Sequence, residues 1–174
     1  MSDTFAHHIR LDAIRDGERI DLVADEAERS AIARRLGLSS IGRLEAHACL
    51  DRDGDSVRTT GRLVAALDQS CVVTGDPVAA HVDEPFEILF VPEPPPSGGH
   101  DEEIGLGESD CDTVFHDGAA IDLGGAIADT LALSLDPYPR SAAADAALKE
   151  AGIMTEEQAS PFAVLAKLRK AGET

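Results

Sequence analysis

Two successive segments that alternate between apolar and polar residues place the strongest constraint on how this chain folds. They are Ile41–Leu50 and Val57–Leu67, and a third strand-like segment follows at about Val78–Val91. Residues two apart point to the same face of a strand, so each segment can bury one face and expose the other. Turn residues separate the segments at Asp51–Asp55 and Thr74–Pro77. The pattern predicts a meander of three long antiparallel strands.

The densest helical signal lies further along the chain, in Ile121–Arg140. Asp122 can cap the N-terminus of this helix, and Pro137 and Pro139 prevent its continuation. The apolar residues recur every fourth position, which places them on one helix face. They are Leu123, Ile127, Leu131 and Leu135, and Ala126 and Leu133 are predicted to widen the stripe.

Shorter patterns complete an α+β prediction, an antiparallel meander of about five to six strands packed with two or three helices. The length of 174 residues favours a single domain spanning 1–174. The further elements are strands at Phe5–Leu11, Arg19–Ala24 and Thr113–His116, with the first two joined by a turn, and helices at Asp25–Leu36, Ser141–Glu150 and 160–170. The helix at Ser141–Glu150 is expected to be short and exposed or poorly ordered.

The charge of the chain is strongly negative and unevenly distributed. The formal net charge is −18, and residues 92–136 contain 11 acidic residues and no Lys or Arg. Within this region, 92–112 is rich in Pro and Gly, which predicts an acidic flexible loop. An acidic surface repels phosphate, so extended binding to nucleic acid is disfavoured and a basic protein partner is easier to accommodate. Solubility alone is the competing explanation for the charge.

The chain has no recognisable catalytic or cofactor-binding motif. It lacks a phosphate loop, a dinucleotide fingerprint and a nucleophile elbow, and no His, Cys or carboxylate spacing matches a metal site. No metal and no cofactor are therefore predicted. The three cysteines, Cys49, Cys71 and Cys111, are widely spaced and odd in number, which fits free thiols in a reducing compartment. The absence of a signal sequence and of a membrane-spanning apolar run predicts a cytoplasmic protein.

From Cys71 onward, an ordered series of short motifs resembles the YceD family, the large ribosomal RNA subunit accumulation proteins. The series is Cys71–Val78, Phe86–Phe90, the acidic gap, Ile121–Leu123, Asp129 and Leu131–Arg140. The closing residues 160–167 are similar to the C-terminal tail of alphaproteobacterial members. The resemblance covers roughly residues 60–170. It implies a non-enzymatic cytoplasmic factor that supports accumulation of 23S ribosomal RNA and biogenesis of the large ribosomal subunit.

The sequence departs from the family pattern at the cysteines that, in many members, resemble a zinc site. Many members have a second cysteine three residues after the first, where this chain has Thr74, and a cysteine-rich segment after the main helix. Here that segment, 136–144, contains no cysteine, so a metal is not carried over. Asp129 stands where the family usually has Glu and keeps the charge.

The motif positions supply the candidate contact residues, each of which also has a purely structural explanation. These candidates are Cys71, Asp76, Pro77, Asp122, Asp129, Tyr138 and Arg140. The expected partner is a large-subunit precursor or a basic ribosomal protein. Two alternatives remain open. One is direct RNA contact through patches of basic residues, and the other is an enzyme that depends on Cys71. The patches are Arg29, Arg34 and Arg35, and Lys167, Arg169 and Lys170.

Overall fold

Three α-helices and seven strands form the part of the chain that the computed structural model describes, residues 5–93 and 112–152. This composition confirms the predicted α+β class. In chain order the elements are β1 (His8–Arg10), a 3-10 helix (Leu11–Ala13), β2 (Glu18–Val23), α1 (Glu26–Leu36), β3 (Ser40–Asp53), β4 (Ser56–Ser70), β5 (Pro77–Pro92), β6 (Asp112–His116), β7 (Ala120–Asp122), α2 (Leu123–Leu133) and α3 (Ala144–Glu150).

The main sheet has five strands in the order β2-β3-β4-β5-β6 and contains the predicted meander. β3 and β4 are antiparallel from the Ser40–Asp68 pair to the Asp53–Ser56 pair, and Gly54 adopts a φ of 61° in the turn between them. β6 runs parallel to β5, which the sequence patterns did not predict. A parallel neighbour requires a long connection, and the chain between β5 and β6 is long enough to provide one.

The N-terminal strands form, but they do not pair with each other. β1 pairs antiparallel with β7 in a separate two-stranded sheet, through pairs such as Ile9 with Ile121. β2 instead extends the main sheet beside β3, with Ile20 opposite Ala48. Ile121 therefore belongs to a strand, and α2 begins at Leu123, directly after its predicted cap Asp122. The β1–β7 pairing joins distant segments, and the local periodicity carries no information about it.

Helices α1 and α2 contribute their apolar faces to the same core as the main sheet. In α2, Leu123, Ile127 and Leu131 are fully buried, which confirms these positions of the predicted stripe. Leu135 was also predicted to belong to it, but it lies beyond the end of the helix at Leu133. The inclusion of Leu133 in that stripe was wrong, because this side chain is 78% exposed. Leu133 lies two residues after Leu131, about 200° around the helix axis, and so faces away from the core.

The ends of both helices follow from their local sequence. Asp25 caps α1 through a capping box with Glu28, and Gly37 ends it in the left-handed conformation with a φ of 66°. Asp122 caps α2 as predicted, by accepting a hydrogen bond from the backbone N–H of Gly125. α3 is confirmed as a short helix at Ala144–Glu150.

The chain divides into two compact units, each built from two separate segments. The first contains Met1–Gln69 and Ala79–Pro137, and the second contains Ser70–Val78 and Tyr138–Thr174. The single domain over 1–174 therefore stays a prediction. Most of the predicted acidic loop and the whole predicted helix at 160–170 lie outside the described residues.

Candidate functional site

The turn between β4 and β5 places Cys71 at the centre of a compact loop in the second unit. The N–H of Cys71 donates to the carbonyl of Asp76 at 2.8 Å, and the N–H of Gly75 donates to the carbonyl of Cys71 at 2.9 Å. Gly75 has a φ of 76°, which a residue with a side chain rarely adopts. Pro77 then opens β5. The predicted turn is thus confirmed, and it directs the Cys71 side chain inward.

The sulfur of Cys71 is buried among hydrogen-bond donors. The residue is 3% exposed, and the N–H of Ser141 donates to Sγ at 3.2 Å. Hydrogen bonds from the Thr74 side chain, then from the backbone and side chain of Ser141, lower the pKa of the Cys71 thiol from 9.0 to about 6. Donors that stabilise a thiolate lower its pKa. The donors around Sγ therefore favour the thiolate form of Cys71.

Two hydroxyl groups beside the sulfur, those of Thr74 and Ser141, connect the two segments of this unit. Thr74 Oγ1 lies 3.2 Å from Ser141 Oγ and 2.7 Å from Asp76 Oδ2. The Thr74 hydroxyl also interacts with the sulfur, so its single proton has two acceptors, the Asp76 carboxylate and Cys71 Sγ. The N–H of Val72 donates to the carbonyl of Pro139 at 2.9 Å. We call the group Cys71, Thr74, Asp76 and Ser141 the Cys71 knot. Sequence reasoning missed Ser141, because its role depends on a contact 70 residues away along the chain.

Five of the seven candidate contact residues belong to this unit, and four of those five, all but Cys71, are exposed. Tyr138 is 73% exposed, and the exposed Arg140 lies 3.9 Å from Asp145 in a loose ion pair. Cys71, Asp76 and Pro77 form the turn itself. The unit thus combines a buried polar centre with an aromatic and a cationic side chain at its surface.

The other two candidates lie in the first unit and have clear structural roles. Asp122 Oδ1 accepts hydrogen bonds from the N–H of Gly125 at 3.0 Å and the N–H of His7 at 3.2 Å. It therefore caps α2 and fastens the N-terminal segment. Asp129 forms an ion pair with Arg35, which links α2 to α1. Asp129, a candidate from the family motifs, therefore pairs with Arg35, a member of the predicted RNA-contact patch.

Two basic residues of α1, Arg29 and Arg34, line a cleft of about 590 Å³ beside the start of β3. Arg29 donates from Nη1 to the carbonyl of Ala24 at 2.7 Å, and Arg34 is exposed at the cleft wall. Arg35 is engaged by Asp129, as described above. The second predicted patch, Lys167, Arg169 and Lys170, lies outside the described residues.

Acidic side chains gather where the β3–β4 hairpin meets the end of β5. Asp16, Asp51 and Asp53 line a depression of about 420 Å³. Arg52 and Arg58 line it as well, and Asp51 Oδ1 accepts the N–H of Gly17 at 3.2 Å. We call the group Asp16, Asp51, Asp53, Asp55, Glu93 and Asp117 the acidic end. No sequence motif marked this cluster, because its members come from four separate segments.

His116 connects the parts of the acidic end. Its Nδ1 accepts the N–H of Gly118 at 3.0 Å, so Nε2 carries the proton and donates to the carbonyl of Asp55 at 2.8 Å. The carbonyl of His116 accepts the N–H of Glu93 at 3.0 Å. Hydrogen bonds from the N–H groups of Ala119 and Ala120 hold the pKa of Asp117 below its usual value. These contacts hold the backbone of Asp55, Glu93 and Asp117 close to His116.

Comparison with known proteins places the chain in a family. Residues 59–169 match the family model described as large ribosomal RNA subunit accumulation protein YceD, which covers more than half of the sequence. The chain belongs to the YceD family. This membership confirms the resemblance found in the sequence and gives the chain a role in accumulation of the large subunit's ribosomal RNA. No curated protein and no solved structure matches the chain.

The side chains of the Cys71 knot do not form a set of zinc ligands like the cysteines suggested by the family resemblance. A structural zinc ion is bound by four Cys or His ligands, whereas the knot offers one thiol, two hydroxyls and a carboxylate. Across residues 5–93 and 112–152, no group of three or more His, Cys, Asp or Glu side chains is placed to hold a metal ion. Among the same residues, no helix is long and apolar enough to cross a bilayer.

Proposed function

We propose that this YceD protein is a non-enzymatic cytoplasmic factor that supports 23S ribosomal RNA accumulation by contacting a basic protein of the large-subunit precursor. The acidic end is the contact surface, and it carries the proposal. Ribosomal proteins are rich in Lys and Arg, which bind phosphate and pair equally well with carboxylates. A factor that covers such a protein before it meets RNA would keep it soluble and available for assembly.

The position of the acidic end supports this assignment. Glu93 is the last described residue before 94–111, a segment with five acidic residues and no Lys or Arg. The segment therefore leaves the described structure beside carboxylates that are already clustered. Binding of a basic polypeptide at the acidic end would relieve like-charge repulsion among its carboxylates.

The arginines of the described structure favour a protein partner over RNA. Six of them form ion pairs with carboxylates of the same chain, which reduces their capacity to bind phosphate. The pairs are Arg10–Asp12, Arg35–Asp129, Arg43–Glu45, Arg58–Glu87, Arg62–Asp83 and Arg140–Asp145. Exposed pairs of this kind are weak. In each pair, however, the carboxylate competes with a phosphate for the same guanidinium group.

One observation favours direct RNA contact as a second candidate function. Arg29 and Arg34 line the cleft beside α1, where two guanidinium groups could meet one phosphate. An enzyme that depends on Cys71 has no comparable support, because the sulfur is buried and its donors come from the chain itself.

Charge neutralisation at the acidic end tests the leading proposal. The variant combines Asp51→Asn, Asp53→Asn and Asp55→Asn, which keeps side-chain size and the backbone contact from His116. Tagged protein is expressed in a strain that lacks the native gene, and lysates are separated on a sucrose gradient. We expect the wild type to sediment with large-subunit precursors and the variant to remain near the top, with a several-fold lower yield of 23S RNA.

The matched control neutralises three acidic residues elsewhere, Glu26→Gln, Glu84→Gln and Glu150→Gln. It changes the net charge equally and should sediment like the wild type. Equal loss in both variants would show that total charge matters and would overturn the assignment to the acidic end. If the acidic-end variant stays bound and Arg29→Gln with Arg34→Gln releases the protein, the RNA candidate is correct instead.

A further inference from the structure

The Cys71 knot brings three side-chain heteroatoms from two chain segments to one point in the second unit. Cys71 and Thr74 come from the turn before β5, and Ser141 comes from the segment before α3. Ser141 contributes twice, since its N–H lies 3.2 Å from Cys71 Sγ and its hydroxyl lies 3.2 Å from Thr74 Oγ1. A turn and a second segment thus converge on one thiol, as they converge on the metal in small structural zinc sites.

The chemistry at that centre is hydrogen bonding. The two hydroxyls are weak ligands for zinc, which prefers thiolate and imidazole, and a single thiolate cannot replace four such ligands. Each heteroatom instead has a protein partner: the sulfur accepts from Ser141, and Thr74 donates toward Asp76 at 2.7 Å. These bonds satisfy the buried sulfur and the half-buried hydroxyl groups without a metal.

We infer that Cys71, Thr74 and Ser141 form a metal-free counterpart of a zinc knuckle, which fastens the β4–β5 turn to the segment around Ser141 through hydrogen bonds alone. The unit therefore folds without a metal, and its stability depends on the hydroxyl groups. The side chains already lie in positions suited to metal ligands, so replacing both hydroxyls by thiols would create a zinc-binding centre.

Metal content and chelator sensitivity of the full chain test the claim that the unit folds without a metal. The protein is expressed in zinc-supplemented medium, purified without chelator, and analysed for metal by mass spectrometry. We expect far less than one zinc per chain and the same thermal unfolding midpoint with and without EDTA. One zinc per chain, or a lower midpoint in EDTA, would overturn the inference.

Conservative substitution tests the role of the hydroxyl. Thr74→Val keeps the shape and removes the hydrogen bonds, and we expect it to lower the thermal midpoint by about 2–4 °C. Thr74→Ser retains the hydroxyl and should stay close to the wild type. Equal midpoints for the valine and serine variants would show that the hydroxyl does not fasten the turn, and the inference would fail.

A gain-of-binding variant tests the convergence of the three positions. Under reducing conditions, Thr74→Cys combined with Ser141→Cys should bind Co²⁺ and show intense thiolate-to-cobalt absorption. The control adds Cys71→Ala to the same pair and retains Cys49 and Cys111. We expect it to bind Co²⁺ at least tenfold more weakly, because one converging thiolate is gone. Equal binding by the two proteins would show that the side chains do not converge and would refute the proposed geometry.

Discussion

Thr59 contains a buried side-chain oxygen that has no hydrogen-bond partner among the described residues. The residue lies in β4 and is fully buried. Leaving a buried hydroxyl unpaired costs free energy, and valine has nearly the same shape without the polar group. We expect Thr59→Val to raise the free energy of unfolding by about 1 kcal/mol in urea titrations. Thr60→Val, on the opposite strand face, is the control and should have little effect. A less stable Thr59→Val protein would mean that the hydroxyl is paired after all.

At the same scale, the Cys71 thiolate should be visible in a pH titration. The thiolate absorbs in the far ultraviolet, where the thiol does not, and we expect one cysteine of the folded protein to titrate with a pKa of about 6. The transition should disappear in Cys71→Ser. Folding lowers the pKa of this thiol from 9.0 to about 6. Its contribution to the free energy of unfolding is therefore complete above pH 9.0 and is lost as the pH falls through about 6. A titration only near the ordinary value would contradict the arrangement of donors around Sγ.

At the scale of elements, the start of α2 depends on a glycine that helix propensity alone would disfavour. A Cβ on Gly124 would lie 2.2 Å from the carbonyl oxygen of Phe5 and 2.8 Å from the N of His7. Both atoms belong to backbone, so they cannot move aside as a flexible side chain would. Gly124→Ala should therefore destabilise the protein by about 1–3 kcal/mol, despite alanine's higher helix propensity.

Gly42→Ala is the matched control for this prediction, since its nearest contact would be the carbonyl of Ala66 at an ordinary 3.6 Å. Chemical denaturation of both variants separates a steric effect from a general cost of replacing glycine. A Gly124→Ala protein as stable as Gly42→Ala would show that the N-terminal segment does not pack closely on α2.

The sequence predicted those elements whose signals are local. Alternation located β3 and β4, and the cap of α2 was predicted from Asp122 because capping involves residues only three apart. Contacts between distant segments could not be predicted this way. The β1–β7 pairing, the parallel alignment of β6 and the Arg35–Asp129 ion pair all join residues that no local period relates.

The candidate site shows the same limit. The Cys71 turn was predicted from its own residues, whereas its partner Ser141 follows in a segment whose sequence gives no strong local signal. The acidic end could be anticipated only as an excess of charge, since its carboxylates meet through the fold. Family resemblance supplied the functional assignment, because it records the order of motifs over more than a hundred residues.

On the scale of the whole molecule, the net charge of −18 should make stability depend on salt in an unusual direction. Salt weakens the exposed ion pairs, which are worth about 0–1 kcal/mol each, and it also screens the repulsion among excess carboxylates. Because acidic residues greatly outnumber basic ones, the second effect should dominate. We expect the thermal midpoint to rise by about 2–4 °C between about 10 and 150 mM NaCl, as the screening length falls from about 30 to about 8 Å.

The acidic-end variant provides the internal comparison for this prediction. Removing the charges of Asp51, Asp53 and Asp55 relieves repulsion where carboxylates are concentrated, so the variant should be more stable than the wild type at low salt and should gain less from NaCl. The control with Glu26, Glu84 and Glu150 neutralised should retain most of the salt dependence, because those carboxylates are spread over the surface. A midpoint that falls steadily with salt would show that ion pairs outweigh repulsion. In that case the carboxylates of the acidic end would not repel one another strongly, and a basic partner would have no such repulsion to relieve.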